Sequence, residues 1–581
     1  MKCAAVADPS SSLFSRALIG FLVTLVPCAA ALAQTPPPPA THVRVLASNE
    51  PAPTPTVTVS PTSVLMAPGG TQLFTALVTG TANQQVIWTA TGGTITSDGT
   101  FTAQMTSGTF AVTATLARGT IKGTAQIEII GPPMIEIQPG QNIQSIVNAN
   151  PTGASFLLKA GVHRLQTIIP KTGQTFAGET GAILSGARVL SAFSRAGNAW
   201  VASGQTQEGT TSGSATDGVC RSTFARCGRP EDLFMDDVAL QHVTSLSAGG
   251  PGKWYFDYAA DQIFIWDDPG GRTVETSITP AAFSGYASNV TIRNLIVEKY
   301  AAPTFTSAIE LRTGWIIEDS EVRWNHFGGI GNGPGSIARR NKVHHNGCYG
   351  FHGSGANVLV EANEIAFNGY AGYNPFWGSG GSKWVYTDHL VVRGNFSHHN
   401  LGPGLWTDID NIYTLYENNI AEDNERGGIF HEISYDATIR NNTLRRNGTG
   451  RDFPYWTTGA GIEIVGSSNV EVYGNTLEDN WQGITGLDDH RGTGTRGPWT
   501  LLNLFVHDNV VTSRVVDAGA GRTGIVDTAG TGAFSSSANN RYRQNFYTLG
   551  SNPEYFIWMA SDRTESQWQG TGNDTTGTFR R

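Results

Sequence analysis

The sequence predicts an all-β protein, a parallel β-solenoid preceded by a small β-sandwich, on three observations. Glycine is abundant, 70 of 581 residues, against only 15% charged residues, which suits sheet with frequent tight turns and leaves helix a minor element. Short alternating apolar and polar runs before residue 131 are separated by turn residues, the pattern of a sandwich. From Ser320 onward a motif Asn-x-x-x-x-Asn, or a near match, recurs with its second Asn at Asn325, Asn346, Asn368, Asn400, Asn424, Asn447 and Asn480.

Length alone leads one to expect two or more domains or one long repeat array. Residues 1–33 read as a secretory signal: Lys2 and Arg16 supply positive charge, Leu18 to Ala33 is apolar, and Ala31-Leu32-Ala33 is a small-x-small cleavage site. A secreted or periplasmic protein without membrane insertion is expected. The formal net charge is −9, and removing the signal takes away two positive charges and one negative. An acidic exported chain lacks the basic patch that nucleic acid or an anionic membrane requires, so no nucleic-acid partner is expected, and the chain reads as a monomer.

Residues 34–54 form a Pro-rich extended spacer. Residues 55–131 carry the alternating runs, among them Val57-Thr-Val-Ser, Val86-Ile-Trp-Thr-Ala and Phe110-Ala-Val-Thr-Ala-Thr. With "VSPTSVLMAPGGTQLFTALVTG", the Trp88 strand and "GGTITSDGTFTA", this stretch resembles the bacterial immunoglobulin-like domains. That resemblance implies a spacer or adhesive module without chemistry of its own.

The solenoid is expected over 132–581. It opens with a strand and a short amphipathic helix around Ile143 to Ala149, the kind of helix that closes the exposed hydrophobic end of a solenoid. Residues 200–275 break the periodicity and read as an inserted hairpin. Cys220 and Cys227 lie there, close together in an oxidising compartment, and predict a local disulfide. Cys348, inside a repeat, reads as a buried apolar residue.

Successive repeat Asn residues lie 21 to 24 apart, with two larger gaps of 32 and 33. One coil therefore takes about 22 residues, and the larger gaps place inserted loops at about 374–386 and 449–459. The Asn side chains are expected to stack coil upon coil at a sharp bend. Five residues after most of them stands an apolar residue preceded by Gly, at Ile330, Phe351, Tyr373, Leu405 and Ile429; Ile462 and Ile484 take the same place near later Asn residues. In this repeat the chain resembles the right-handed parallel β-helix proteins of the pectin-lyase-like superfamily, over roughly 132–560. The closing "SQWQGTGNDTTGTF" is similar to tails of secreted glycan-degrading β-helices. The resemblance implies a carbohydrate-active protein with a polysaccharide or oligosaccharide partner.

Two consecutive coils, Asn395 to Asp410 and Asn419 to Ser434, superpose with an offset of 24 residues. That offset sets Asp408 beside Glu432, one strand spacing of about 4.7–4.9 Å apart. If Leu405 and Ile429 point inward, alternation turns Trp406, Asp408 and Asp410 outward on one coil, and Phe430 and Glu432 on the next. His352 and Asn374 extend this face on one side and Glu463 on the other, while His431 turns inward. Stacked carboxylates repel, which raises one pKa and leaves a proton donor beside an ionised partner. Retaining glycoside hydrolysis needs that arrangement, and inverting hydrolysis a wider one. Asp408 and Glu432, with Asp410 for a longer separation, are the catalytic candidates. His352, Asn374, Trp406, Phe430, His431 and Glu463 are the substrate-binding candidates, with Trp377, Trp384 and Trp456 as flat apolar faces on the loops.

Three classes compete: a glycoside hydrolase needing no cofactor; a polysaccharide lyase or uronate epimerase, in which the acids would hold Ca²⁺ and His352, Lys383, His389 or Arg426 would take the proton; and a non-catalytic glycan-binding solenoid. The polygalacturonase motif set is present only in fragments, Thr407-Asp408 and Asp488-Asp489-His490. No nucleophile elbow or phosphate-cradling loop occurs.

Overall fold

The structure, a computed structural model, describes residues 54–104, 107–131, 134–451, 457–517 and 519–581. The signal segment, nearly all of the spacer and Trp456 lie outside the described residues. Residues 56–129 form short strands in two-, three- and four-stranded sheets around a core of their own that includes Phe74, Phe101, Val112 and Ile127.

From Ile135 the chain winds into a parallel β-helix. Among the described residues it builds two sheets of 13 strands and a third of 11. The third sheet carries the site. Its strands are β1 (Ser307–Glu310), β2 (Gly328–Asn332), β3 (Tyr349–Ala356), β4 (Gly380–Asp388), β5 (Leu405–Asp408), β6 (Ile429–Glu432), β7 (Ala460–Val465), β8 (Gln482–Asp488), β9 (Thr523–Asp527), β10 (Phe556–Trp558) and β11 (Ser561–Arg563). Down the first sheet, Ile317, Ala338, Val360, Val392, Tyr416, Ile439 and Val472 stand in unbroken register, all fully buried. Stacked apolar rows of this kind supply most of the driving force, since each coil buries its inward residues on the next.

The repeat motif folds into two asparagine ladders. Asn325, Asn346, Asn368, Asn400, Asn424, Asn447 and Asn480 form one, each Nδ2 donating to the next Oδ1 at 2.8–3.0 Å. Asn341, Asn363, Asn395, Asn419, Asn442, Asn475, Asn509 and Asn545 form the other, at 2.9–3.0 Å. The residue before each ladder Asn is in the left-handed region, Asp423 at φ 55° and Asn418 at φ 55° for example. That is the sharp bend, and the ladder holds its backbone polar groups. A glycine precedes Ile330, Phe351, Leu405, Ile429 and Ile462 where the ladder passes: a Cβ on Gly404 would meet Asn424 Nδ2 at 2.7 Å.

Both ends are closed. Helix α1 (Ile143–Ala149), capped by Asn142 accepting from the Ser145 N–H at 2.8 Å, buries Ile143 and Val147 on the first coils. The tail closes the other end: Trp568 is fully buried, and Asp574 takes the last rung, accepting from Asn545 Nδ2 at 3.0 Å and Trp568 Nε1 at 3.1 Å.

The inserts differ from the sequence reading in their bounds. The first side module is mostly antiparallel and runs from Ala187 to Ser277, with a core including Leu233, Trp254, Phe256 and Ile263; its Cys220–Cys227 disulfide forms, and Cys348 is buried beside it. The loop expected at 374–386 ends sooner, because β4 begins at Gly380. Ser382, not Tyr373, therefore pairs with Phe351. Tyr373 is buried outside the coil against Phe327, Cys348 and the disulfide. Counting from an Asn could not reveal how many residues an insert takes before the strand resumes.

Candidate functional site

The 24-residue register holds residue for residue: Leu405 pairs with Ile429, Trp406 with Phe430, Thr407 with His431 and Asp408 with Glu432. The carboxylates of Asp408 and Glu432 thus stand side by side on β5 and β6. Both are nearly buried, at 6% and 8% exposure, so each needs a partner. Lys383 Nζ meets Asp408 Oδ2 at 2.9 Å, while Asp408 Oδ1 has no hydrogen-bond partner. Arg491 Nη1 meets Glu432 Oε1 at 2.7 Å, and Trp406 Nε1 donates to Oε2 at 3.2 Å. Burial, followed by the negative charge of Asp408, pushes the Glu432 carboxyl from 4.5 up to about 7, against the opposing pull of Arg491 and Lys383.

Lys383 is spoken for on every side. Besides Asp408 it donates to the Trp377 carbonyl at 2.9 Å and sits 3.8 Å over the Trp406 ring. It reaches this place because β4 pairs with β3, His352 opposite Lys383, and with β5, Trp384 opposite Thr407. One outward row therefore runs His352, Lys383, Trp406, Phe430, Glu463, and the next runs Val385, Asp408, Glu432, Val465, Leu487.

A cleft of about 670 Å³ lies along this face on the N-terminal side of the pair. Asp408, Lys383, His352, Tyr349, Trp377 and Phe305 are among its walls. His352 Nε2 lies 2.6 Å from Ser307 Oγ and 3.9 Å from Glu310 Oε1, and burial lowers its pKa. Among the described residues no group of three His, Cys, Asp or Glu side chains is placed to hold a metal ion.

Several candidates fall elsewhere. Asp410 turns away in the left-handed region at φ 54°, and its carboxylate ties down the loop after β8, accepting from Trp499 Nε1 at 2.9 Å and the Thr495 N–H at 3.0 Å. Asn374 is not on the face: it binds the side module, donating to the Gly218 carbonyl at 2.9 Å. His431 is fully buried inside the coil on Thr407 Oγ1 at 2.7 Å, and burial drives its pKa to about 3. Trp406 and Phe430 do face outward, but lie 1% and 3% exposed, stacked on each other at 5.2 Å beneath Lys383 and Arg426. They form the floor under the carboxylates, not an open platform. Trp384 is in the core, donating to Asn332 Oδ1 at 3.0 Å.

Glu463 is outward but 2% exposed, one coil beyond Phe430; burial raises its pKa, countered by Arg426 and Thr457. Arg426 is itself buried, donating to the Pro375 carbonyl at 2.7 Å. His389 stands off the cleft, paired with Asp388. Arg491 was not singled out by the sequence: it lies on the loop after β8, 59 residues from Glu432, and a loop residue carries no periodic mark.

Residues 307–477 match the family model described as the right handed beta helix region. No curated protein matches the sequence. Among solved structures the chain is similar to XylC, determined in complex with xylose, at TM-score 0.56 and 14% identity, covering 72% of this chain and 83% of that one. It is also similar to the A-module of the mannuronan C-5 epimerase AlgE4 of Azotobacter vinelandii, at TM-score 0.35 and 14% identity over 76% and 92% of the two chains. A further likeness is to the family 28 exopolygalacturonase of Yersinia enterocolitica, at TM-score 0.30 and 12% identity over 82% and 84%. The solenoid is thus a right-handed parallel β-helix.

Proposed function

We propose, from the premise that the solenoid is a right-handed parallel β-helix, that the chain is a carbohydrate-active enzyme and specifically a retaining glycoside hydrolase. The observation that carries this reading is the divergent setting of two adjacent carboxylates. Asp408 is salt-bridged to Lys383 with one oxygen left unpartnered, as a nucleophile requires. Glu432 is shifted to about 7, as a group that both gives and takes a proton near neutral pH requires. Strands one spacing apart set carboxyls at about the 5–5.5 Å of retaining enzymes.

In the first half-reaction Asp408 Oδ1 attacks the anomeric carbon while Glu432 protonates the departing glycosidic oxygen. In the second, Glu432 takes a proton from water, which displaces Asp408 and restores both groups. Trp406 and Arg491 orient Glu432, and Lys383 positions Asp408. Residues 55–131 are read as a separate spacer of the bacterial immunoglobulin-like kind, and export rests on the signal segment.

A lyase or epimerase is favoured by one observation, a His352 held neutral by burial on the cleft wall near Asp408. The two are separated by incubating the protein with neutral and uronate glycans, with and without chelator. Hydrolysis yields reducing ends without ultraviolet absorbance from a new C=C bond, insensitive to chelator. Absorbance that disappears on chelation makes the protein a lyase, and uronate epimerisation without either makes it an epimerase.

A further inference from the structure

We infer that the cleft on the N-terminal side of the pair is an extended binding arm for an uncharged glycan, with Tyr286, Phe305 and Trp377 as stacking faces for sugar rings beyond the scissile bond. The inference rests on the proposed hydrolase reading and adds to it the direction and the charge of the substrate.

The direction follows from what covers each side of the pair. Toward the C-terminus every residue of β7 and β8 is buried, and Arg491 closes over Glu432. Toward the N-terminus the cleft continues from Asp408 past His352 to Tyr286. Phe283, three residues before Tyr286, bridges to Ile309 of β1. Between that coil and β5 lie the successive pairings through β1 to β4. At 4.7–4.9 Å per strand, five spacings amount to about 24 Å, room for several sugar units laid along the solenoid axis.

The charge follows from how the cleft's ions are paired. Lys383 is taken up by Asp408, the Trp377 carbonyl and the Trp406 ring. Arg312 donates through Nε to the Gly285 carbonyl at 3.0 Å and lies 5.6 Å over the Tyr286 ring. Glu310 accepts from the Ser307 N–H at 2.6 Å. The wall thus holds two acids and two cations in balance, without the surplus of cations that a row of uronate carboxylates would need.

The aromatics are placed at a cost that packing does not explain. Tyr286 is 94% exposed and Phe305 66%. Phe305 adopts φ 70°, a strained conformation for a bulky residue, and its ring meets Trp377 edge-on at 5.4 Å. Exposed flat rings on the rim of a polar cleft suit the apolar faces of pyranose rings.

The test uses the full-length protein and linear xylo-, cello- and manno-oligosaccharides from dimers to hexamers, with oligogalacturonates as charged comparators. Titration calorimetry on the Glu432→Gln protein should show affinity rising with chain length for a neutral series and no binding of the oligouronates. Tyr286→Ala and Phe305→Ala should each weaken the longest neutral oligomer by roughly 2- to 10-fold and leave the dimer unchanged; both side chains are exposed, so the fold is retained. Affinity that does not change with length, or that is unaffected by both substitutions, overturns the binding arm while hydrolysis by wild type still supports the catalytic pair. Tighter binding of oligouronates than of any neutral series overturns the charge assignment. Length-dependent neutral binding without turnover by wild type supports the arm and removes the hydrolase.

Discussion

Two stretches of one outward row on the third sheet have the same backbone and opposite side chains. On β7, β8 and β9 the row is Val465, Leu487 and Val526, in register and buried in one apolar cluster with Trp406, Phe430 and Ile557. On β5 and β6 the same row is Asp408 and Glu432. The fold therefore accepts aliphatic residues at these positions, and a pair of neighbouring carboxylates is not something the coil demands. Holding them nearly buried requires Lys383 and Arg491 and raises Glu432 toward neutrality. Stability would be better served by the aliphatic pattern, so the acidic pair points to chemistry.

Removing the difference gives the largest effect. Asp408→Asn and Glu432→Gln should each lower kcat by about 10²–10⁴-fold with the fold intact by circular dichroism. Full activity in both variants would make the pair structural. Removing the cation that supports Asp408 comes next: Lys383→Met should lower kcat/KM by roughly 10–100-fold, as loss of a charged hydrogen bond does. Because Lys383 pulls the Glu432 pKa down, the alkaline limb of the pH profile, set near 7 in the wild type, should move upward. A limb that stays in place would detach Lys383 from the pair.

The aliphatic half sharpens the contrast from the other side. Val465→Ala should cost about 1–3 kcal/mol of stability by chemical denaturation and leave kcat within a few-fold; a loss of activity comparable to Glu432→Gln would show that the two halves are not distinct. A subtler effect lies in pH-dependent stability. The folded Glu432 binds its proton more tightly than the unfolded chain, so its contribution is full below about 4.5 and fades as pH rises through about 7. Wild-type Tm should therefore fall relative to Glu432→Gln between those values. Parallel curves would deny the shift. Least of all, deleting residues 55–131 should leave the solenoid folded and turnover unchanged, whereas insoluble protein would make that domain part of the cap.

How much the sequence disclosed depended on whether the repeat ran unbroken. Asp408 and Glu432 could be paired from the sequence because no insert separates Asn400 from Asn424, so one count of 24 carries Leu405 onto Ile429 and the acids onto each other. The ladders were legible for the same reason, since a residue that must meet its copy on the next coil recurs at the coil period. Lys383 was legible only as a residue type. The insert before β4 hides how far the chain travels outside the coil, and the same miscount put Asn374 on the face. Arg491, Tyr286 and Phe305 lie on loops, where three-dimensional closeness leaves no period to read. Alternation correctly sent His431 inward and Trp406 and Phe430 outward, but facing outward is not exposure: Lys383 and Arg426 lie over both rings.

The most direct measurement is the anomeric configuration of the first-formed product, followed by proton NMR on the neutral glycan that the wild-type protein cleaves. Retention, with no signal in Asp408→Asn, is expected from carboxylates on adjacent strands acting as nucleophile and acid/base. Inversion would require a wider carboxylate separation than β5 and β6 provide, and an unsaturated product would replace hydrolysis by elimination; either result contradicts the assignment of Asp408 and Glu432.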